Sequence, residues 1–464
     1  MHTWRNKAVV MASLLLTLNN GSSWGGAPPN DVASDNGNTA GGTNALVNDT
    51  TGNNNTAFGD IALFHNTSGS ENTAFGAGAL TSNTTGINNT ASGVNALAAN
   101  TTGNHNTAFG DSALLFNTGN NNTASGFAAL VNNTTGSNNT ASGVEALQRN
   151  TTGLNNTAIG LEALFSNTTG TANTATGVFA LHDNTKGGVN AAFGQEALAS
   201  NTTGFSNTAS GFEALFSNTT GNANTASGVD ALFSNSTGGN NTASGTNALF
   251  ANTTGNSNVA LGNNALLNKS TGNRNIALGP GAGKNLLSGD NNIYVGHFGS
   301  ASESNTLRLG DIQSATFVAG IFGRPMNGSA VVVSSTGQLG TLPSSARYKR
   351  DIHSVGGQSQ KLHQLRAVSF RYKQDPQGVK QYGLVAEEVA GVYPELVLTG
   401  EKGEVEGVQY QGLIPLLVNE VQHQQQVLSK QSQELAALRA QNAALAARLE
   451  RLEATAGTAT LAER

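Results

Sequence analysis

The chain has 464 residues, including 58 glycines, 8 prolines and no cysteine, and its formal net charge is −5. Charged residues make up 11% of the chain and hydrophobic residues 37%, whereas charged residues form about 25% of an average globular domain. The lack of cysteine excludes a disulfide framework, thiolate metal sites and a cysteine nucleophile. The small net charge does not favour nucleic acid or acidic lipid as a partner. We therefore predict no nucleic-acid partner, no metal site and no cofactor.

The N-terminus has the pattern of a secretion signal. Arg5 and Lys7 precede a largely apolar run from Ala8 to Leu18. A run of this length fits the central region of a signal peptide and is too short to cross a bilayer as a helix. We predict a signal peptide over 1–27, a secreted or cell-surface protein, and no integral membrane span in the mature chain. An uncleaved anchor and a disordered leader are the alternatives.

A 17-residue repeat fills residues 30–296 and has the form N-T-A-x-G-x-x-A-L-x-x-N-T-T-G-x-x. Its leading asparagine occurs 16 times, from Asn38 to Asn292, and 14 of the 15 intervals are 17 residues long. Position 1 is asparagine and position 5 is glycine in every copy, and position 9 is leucine in the first 14 copies. A short fixed period of this kind indicates stacked coils of the same shape.

One coil of this length can hold a turn of a parallel β-solenoid, but it is too short for a helical hairpin. We expect glycines 5 and 15 at corners that need positive φ, and alanine 3 and leucine 9 in a narrow core. Asparagine and threonine in register are expected to form hydrogen-bonded ladders, and the coils would build a rod of roughly 75 Å. Low-complexity disorder is the alternative; the constant register and the absence of proline between Pro29 and Pro280 argue against it.

The predicted core is thin. Its apolar side chains contribute about 3 kcal/mol per coil, while ordering the backbone costs ~1 kcal/mol or more per residue. Three chains wound about a shared axis would bury more, so we predict a homotrimer. The N-T-A-x-G-x-x-A pattern resembles the head repeats of trimeric autotransporter adhesins, which implies trimeric left-handed β-rolls. Recurrent N-x-T sequences such as Asn167-Thr-Thr169 match glycosylation acceptors, and we interpret them as structural. Ice binding by threonine ladders is a further alternative.

The repeat stops after residue 296. Three short segments then have strand character: 306–310, 316–321 and 330–333. We predict a β-rich neck over 297–343.

Four motifs follow the neck in order: Pro343-Ser-Ser-Ala-Arg-Tyr-Lys-Arg-Asp-Ile352, Tyr382-Gly-Leu-Val-Ala-Glu-Glu-Val389, Tyr393-Pro-Glu-Leu-Val397 and Val408-Gln-Tyr-Gln-Gly-Leu-Ile-Pro-Leu-Leu417. In this order and spacing they resemble the intramolecular chaperone domain of phage endosialidase tailspikes, a serine–lysine self-processing peptidase. The resemblance covers about 344–440, and we assign the chaperone domain to 344–412.

This resemblance implies a catalytic pair. The family has a serine five residues before a lysine, and the matching positions are Ser344, the nucleophile, and Lys349, the base. Cleavage before the serine would cut the Pro343–Ser344 bond once per chain. A lysine can act as a base only when burial lowers its pKa, and trimerisation could provide that burial. Ser345 stands where the family usually has aspartate and is a rival nucleophile. The alternative is that Ser344 and Lys349 are ordinary surface-loop residues.

The C-terminal segment has an unbroken heptad pattern, which predicts a coiled coil over 413–455. The a positions are Ile414, Val421, Leu428, Leu435, Asn442 and Leu449, and the d positions are Leu417, Gln424, Gln431, Leu438, Leu445 and Leu452. The polar residues among them can fix register and strand number. The pattern alone does not separate two strands from three. A single amphipathic helix packed on a core is the alternative.

The sequence thus predicts a mainly β protein: a trimeric parallel β-solenoid, then a small α+β chaperone domain and a helical coiled coil. The chaperone would trimerise the chains, set their register and then cut itself off. An uncleaved surface adhesin with a permanent trimerisation foot is the main alternative. A prophage-derived tail fibre is another, against which the predicted signal peptide argues. No motif indicates which host surface or glycan the fibre would bind.

Overall fold

The computed structural model describes residues 36–318, 331–334, 336–375, 377–400 and 403–461. The chain divides into two compact units, one ending at Val318 and one beginning at Ala319. The predicted signal peptide over 1–27 lies outside the described residues. Within the described ranges, none of the helices is both long enough and apolar enough to cross a membrane.

The first unit is a single parallel sheet of 17 strands, each three residues long. Each strand pairs in register with the equivalent strand of the next coil, as in Ala57 opposite Ala74. The predicted parallel β-solenoid of about 16 turns is confirmed. Strands β1 to β17 span Thr39–Gly41, Thr56–Phe58, Thr73–Phe75, Thr90–Ser92, Thr107–Phe109, Thr123–Ser125, Thr140–Ser142, Thr157–Ile159, Thr174–Thr176, Ala191–Phe193, Thr208–Ser210, Thr225–Ser227, Thr242–Ser244, Val259–Leu261, Ile276–Leu278, Ile293–Val295 and Leu307–Leu309.

The apolar core of the solenoid is closed within one chain. In a typical coil Ala158, Ala163 and Leu164 are fully buried, and the same three positions form a continuous core along the rod. A core shared among three chains is therefore not needed to cover these side chains. The core is as thin as the sequence predicts, with two alanines and one leucine per coil, and the homotrimer stays a prediction.

Two buried columns of asparagine complete the core, as the predicted ladders required. At position 1, Asn173 accepts and donates hydrogen bonds along the stack, and its Nδ2 reaches Asn156 Oδ1 at 3.2 Å and Gly187 O at 2.9 Å. At position 12, Asn167 Nδ2 donates to Asn150 Oδ1 at 2.7 Å and to Gly170 O at 3.1 Å. Asn167, the glycosylation-acceptor asparagine, is fully buried and has a structural role.

The corners of the coil differ in part from the prediction. The position-5 glycine has positive φ, as in Gly160 with φ of 134°. The position-15 glycine of the same coil, Gly170, does not have positive φ; a Cβ there would crowd the backbone of Gly187 and the side chain of Asn184. Its smallness serves close packing between coils. The other tight corners are left-handed non-glycine residues, including Leu164 with φ of 52°, at a cost of about 1–2 kcal/mol each.

The C-terminal end of the rod departs from the repeat. Gly283 replaces the core leucine, and the buried ring of Tyr294 fills the space that the leucine would occupy. The ring lies so close that a Cβ on Gly283 would be 2.8 Å from Tyr294 Cδ2. The Tyr294 hydroxyl donates to Glu303 at 2.9 Å, and Glu303 also pairs with Arg308 at 2.7 Å. Arg308 lies on β17, which pairs with β16. The sheet therefore continues into the segment predicted as neck.

The rest of the predicted neck is described only in part. Residues 316–318 form no strand, and 319–321 lie outside the described residues. Strand β18 spans Val332–Val333 and pairs antiparallel with β19, Leu339–Gly340.

The second unit is a small α+β arrangement that leads into a long helix. Strand β20 (Val368–Phe370) pairs antiparallel with β21 (Gln381–Gly383), and β22 (Val397–Thr399) pairs antiparallel with β23 (Val405–Val408). The predicted coiled-coil segment 413–455 lies entirely within helix α2, Tyr410–Leu461. The elements are 3₁₀ helices Ala346–Tyr348, Gly356–Gln364 and Pro394–Leu396, strands β20 Val368–Phe370, β21 Gln381–Gly383, β22 Val397–Thr399 and β23 Val405–Val408, and helices α1 Ala386–Val392 and α2 Tyr410–Leu461.

Candidate functional site

A short 3₁₀ turn holds the predicted catalytic pair. The turn Ala346–Tyr348 follows Ser345, whose backbone is extended with φ of −62° and ψ of 140°. Its hydrogen bonds run from Tyr348 N to Ser345 O and from Lys349 N to Ala346 O, both at 3.0 Å. Because the turn folds the chain back between them, the residues on its two sides come close together.

The turn places Ser344 and Lys349 in contact. Lys349 Nζ lies 3.3 Å from Ser344 Oγ, and in this hydrogen bond the ammonium group donates. Nucleophile and base within hydrogen-bond reach are what a serine–lysine pair requires. The rival Ser345 makes no capping hydrogen bond through its side chain. The structure therefore brings together the two residues that the sequence paired.

The surroundings of the pair are open. Ser344 and Lys349 are both exposed, and so are the described residues from 336 to 350. Arg347 lies over the ring of Tyr348 at 4.8 Å, which is a surface cation–π contact. The burial that would favour a neutral lysine is thus not present in one chain.

The motifs downstream of the pair pack the small domain together. Leu384 N donates to the hydroxyl of Tyr410 at 2.9 Å. A Cβ on Gly383 would lie 2.6 Å from that hydroxyl, so a larger residue in the Tyr-Gly-Leu motif would displace the Tyr410 side chain. The buried Tyr393 donates its hydroxyl proton to Gln358 O at 2.7 Å. These motif residues position the domain and do not reach the pair.

A buried carboxylate anchors the base of α2, and sequence reasoning missed it. Glu420 accepts from Ser359 Oγ at 3.0 Å and contacts His363 Nε2 at 3.1 Å. Asn419 donates to Gly356 O at 2.9 Å and to Ser359 Oγ at 2.8 Å. Some 60 residues separate the partners, and no spacing pattern connects them.

The Glu420 cluster is an anchor and not a second nucleophile. Burial alone would raise the pKa of the Glu420 carboxyl group, but hydrogen bonds from Ser359, His363 and Gln424 outweigh burial, so the pKa lies below its ordinary value. Ser359 and His363 both bond to the carboxylate, whereas a histidine-activated serine would bond to the histidine. The cluster therefore fixes 3₁₀ helix Gly356–Gln364 against α2.

The apolar stripe of α2 faces solvent in the single chain. Its aliphatic a and d side chains are more than half exposed, among them Leu435 at 53% and Leu438 at 56%. An isolated helix with such a stripe has no partner for it. This exposure argues against the alternative of one amphipathic helix packed on a core, at least within the described residues.

Comparison with known proteins identifies the segment around the pair. Residues 344–398 match the model of a family described as chaperone of endosialidase. Over these residues the chain is similar to that family. The match begins at Ser344 and contains Lys349, and it confirms the resemblance for the first three motifs. The fourth motif, from Val408 to Leu417, lies outside the matched residues, so the resemblance there stays a prediction.

The match does not extend over the rod. No curated protein and no solved structure was found to match the chain. The resemblance of the repeats to adhesin heads therefore stays a prediction, although the solenoid itself is confirmed.

Proposed function

We propose that this protein is a secreted, trimeric, adhesin-like fibre whose C-terminal chaperone drives trimerisation and is then released by self-cleavage before Ser344. The observation that carries the proposal is the 3.3 Å contact between Lys349 Nζ and Ser344 Oγ at the start of a chaperone-of-endosialidase domain. Export is supported by the basic and apolar residues that precede position 19.

In the proposed cleavage, Lys349 is the base and Ser344 is the nucleophile. Neutral Lys349 takes the proton from Ser344 Oγ, which attacks the carbonyl carbon of Pro343. A C–O bond forms and the C–N bond to Ser344 breaks, while the lysine returns the proton to the leaving amine. Water then hydrolyses the ester, leaving a carboxylate on Pro343 and a free amino group on Ser344. No cofactor enters any step.

Assembly supplies the timing. Burial disfavours the charged form of a lysine, and Lys349 is exposed in the single chain. When a neighbouring copy covers the turn, burial favours the neutral form of the Lys349 amine. The neutral amine can then take the proton from Ser344, and cleavage begins. A chain that has not assembled therefore keeps its chaperone.

Register is the physical problem that the chaperone solves. Copies of a rod with 16 similar coils can associate out of step by 17 residues, and little in the local contacts opposes such a slip. The exposed stripe on α2 offers a seam in which polar a and d residues, such as Gln431 and Asn442, can fix one alignment. An alignment fixed at this end sets the offset for the rods.

Four chains test the proposal on a denaturing gel: the wild type, Ser344→Ala, Lys349→Ala and Ser345→Ala. We expect two fragments from the wild type and from Ser345→Ala, and one full-length band from the other two. Native mass spectrometry should show that the uncleaved variants still form trimers. If Ser345→Ala alone abolishes cleavage, the nucleophile is wrong. If the wild type trimerises and stays intact, the permanent foot replaces the self-cleaving chaperone.

A further inference from the structure

Four charged side chains flank the exposed apolar stripe of α2. Glu434 and Arg448 are at g positions of the heptads, and Arg439 and Glu453 are at e positions. All four are exposed. Glu434 has a 3.9 Å contact with Lys430, and the other three form no ion pair within the described part of the chain. Side chains at e and g line the two edges of a coiled-coil seam, where they meet the neighbouring helix. We call these four side chains the edge charges.

The edge charges are complementary between parallel copies that have no offset. In a parallel coiled coil the g residue of one helix faces an e residue of its neighbour, five positions further along the chain. Glu434 then faces Arg439 of the neighbouring copy, and Arg448 faces Glu453 of the neighbouring copy. Neither contact can form inside one helix, because residues five apart lie about 140° from each other around the helix axis.

A parallel register with an offset loses these contacts. A shift by one heptad places Glu434 opposite the uncharged Ser432 or Ala446, so the attraction disappears. A shift by two heptads places Glu434 opposite Glu453, and like charges repel each other. Asn442 acts in the same direction, because only copies without an offset place this polar seam residue opposite itself. The edge charges therefore select one register among those that keep the apolar seam.

An antiparallel arrangement would use the same charges differently. Residues at g then face g and residues at e face e, so Glu434 would meet Arg448 of the neighbouring copy and Arg439 would meet Glu453. With these partners side by side, Ile414 would lie beyond the end of the neighbouring helix. The N-terminal part of the exposed stripe would then stay uncovered, which favours the parallel arrangement.

We propose that the edge charges align copies of this chain in parallel and without offset, through contacts from Glu434 to Arg439 and from Arg448 to Glu453 of the neighbouring copy. This inference rests on the trimer proposed above and names the residues that choose its alignment. The occupant of the stripe is a second copy because α2 carries its own electrostatic complement, with opposite charges on the two edges of the seam. An alignment without offset at α2 is what the repeated coils of the rod need.

Charge reversal in the full-length Ser344→Ala chain, which stays intact, tests the proposal. Three variants are compared with this parent at low salt: Glu434→Arg, Glu434→Arg with Arg439→Glu, and Glu434→Arg with Arg448→Glu. Glu450→Arg, which reverses a charge at a b position away from the seam, is the control. Analytical ultracentrifugation over a range of protein concentrations, in a fixed amount of urea that brings the dissociation of the parent into this range, gives the concentration at which half of the copies are dissociated.

We expect the half-dissociation concentration to rise about tenfold or more for Glu434→Arg, because each exposed attraction becomes a repulsion at every interface between copies. Adding Arg439→Glu should bring it back to within about threefold of the parent, whereas adding Arg448→Glu should raise it further. The control should match the parent. High salt should remove the difference between Glu434→Arg and the parent, since exposed charges are screened.

The other outcomes overturn the proposal in different ways. If Arg448→Glu restores association and Arg439→Glu does not, the copies are antiparallel. If neither second substitution restores it, the charges do not meet in these pairs. If Glu434→Arg associates as well as the parent, the edge charges do not set the alignment, and the proposed trimer still stands. If the parent itself stays monomeric without urea, the proposed function fails as well.

Discussion

Lys269 and Asn252 form the last step of a buried hydrogen-bonded column, with Lys269 Nζ donating to Asn252 Oδ1 at 3.1 Å. The column starts at Asp49, whose carboxylate accepts from Asn66 Nδ2 at 2.6 Å. The asparagines between them donate towards the N-terminus, as Asn83 does to Asn66. A carboxylate only accepts and an ammonium group only donates. Asp49 therefore accepts from the first amide NH₂ group of the column, and Lys269 donates to its last amide oxygen.

The charge on Lys269 makes the end of the rod sensitive to pH. Burial lowers the pKa of Lys269 to about 8, and the nearby charge of Asp290 opposes this shift only in part. The unfolded chain holds the proton up to its ordinary pKa near 10.5. The folded state therefore binds fewer protons between these values, and its stability rises with pH by about 3 kcal/mol across that window.

We expect the melting temperature of the wild type to rise, relative to Lys269→Met, as the pH increases from 8 to 10.5. Circular dichroism of the full chain measures this difference. Lys186→Met, at an exposed position of the rod, is the control and should track the wild type. If the melting temperatures of the wild type and Lys269→Met change with pH in the same way, burial does not lower the pKa of Lys269 and the prediction is wrong.

One short coil interrupts the same column. The interval from Asn106 to Asn122 is 16 residues, and the coil carries N-T-G where the other coils carry four residues, most often N-T-T-G. Asn117 bonds to Gly119 O at 2.9 Å, and Asn100 Oδ1 is left buried without a hydrogen-bond partner. A buried unsatisfied acceptor costs about 1–3 kcal/mol.

Inserting one threonine after Thr118 should therefore stabilise the rod by about 1–3 kcal/mol, because the column can then run through Asn117 to Asn100. The same insertion after Thr168, in a coil of normal length, is the matched control and should destabilise. Urea unfolding followed by circular dichroism compares the three chains. A destabilising effect at both places would refute the link between the short coil and the missing hydrogen bond.

The seam of α2 should be required for assembly. Leu435→Glu with Leu438→Glu places charges on the exposed apolar stripe and should leave monomers or aggregates. Ala436→Glu with Ala440→Glu adds the same charge on the opposite side of the helix, at b and f positions, and should leave the oligomer intact. Analytical ultracentrifugation distinguishes them. If the seam variant has the oligomeric state of the control, α2 does not hold the copies together.

Acid should loosen the base of α2. Since the pKa of Glu420 lies below its ordinary value in the folded chain, the unfolded state binds its proton first as the pH falls. The stabilisation that ionised Glu420 gives the folded chain is complete above the ordinary glutamate pKa near 4.5. It disappears as the pH falls through the lowered pKa of Glu420 in the folded chain.

We expect limited proteolysis at 356–364 to be faster for Glu420→Gln than for the wild type at pH 7, with the two rates converging near pH 3 in an acid protease assay. Glu434→Gln, on the exposed part of α2, should behave as the wild type at both values. If Glu420→Gln resists proteolysis at pH 7 as well as the wild type does, the Glu420 carboxylate does not hold 356–364 against α2.

The period of the repeat was sufficient to predict the solenoid, because asparagine, alanine, leucine and glycine recur at fixed positions and each coil repeats one set of contacts. The left-handed backbone of Leu164 was not predictable, since leucine has no intrinsic preference for it and the stack imposes it. The charged ends of the column at Asp49 and Lys269 also escaped notice, because each occurs once and breaks the pattern.

In the candidate site, too, some features could be predicted from the sequence and others could not. The pairing of Ser344 with Lys349 could be predicted only through the family resemblance of the motifs around them, and the turn between them then brings the two side chains within 3.3 Å. The Glu420 anchor was not, because Ser359 and Glu420 meet only after the chain between them has folded. Exposure of Lys349 is likewise a tertiary property, and the burial expected from the sequence is not found in one chain.

The intact mass of the purified wild-type chain, followed over time after refolding, tests the central claim most directly. The account predicts that trimers form first and that a 121-residue fragment running from Ser344 to Arg464 then appears, with a matching N-terminal product ending at Pro343. Trimers that keep the full-length mass, or a new N-terminus at any residue other than Ser344, would contradict it.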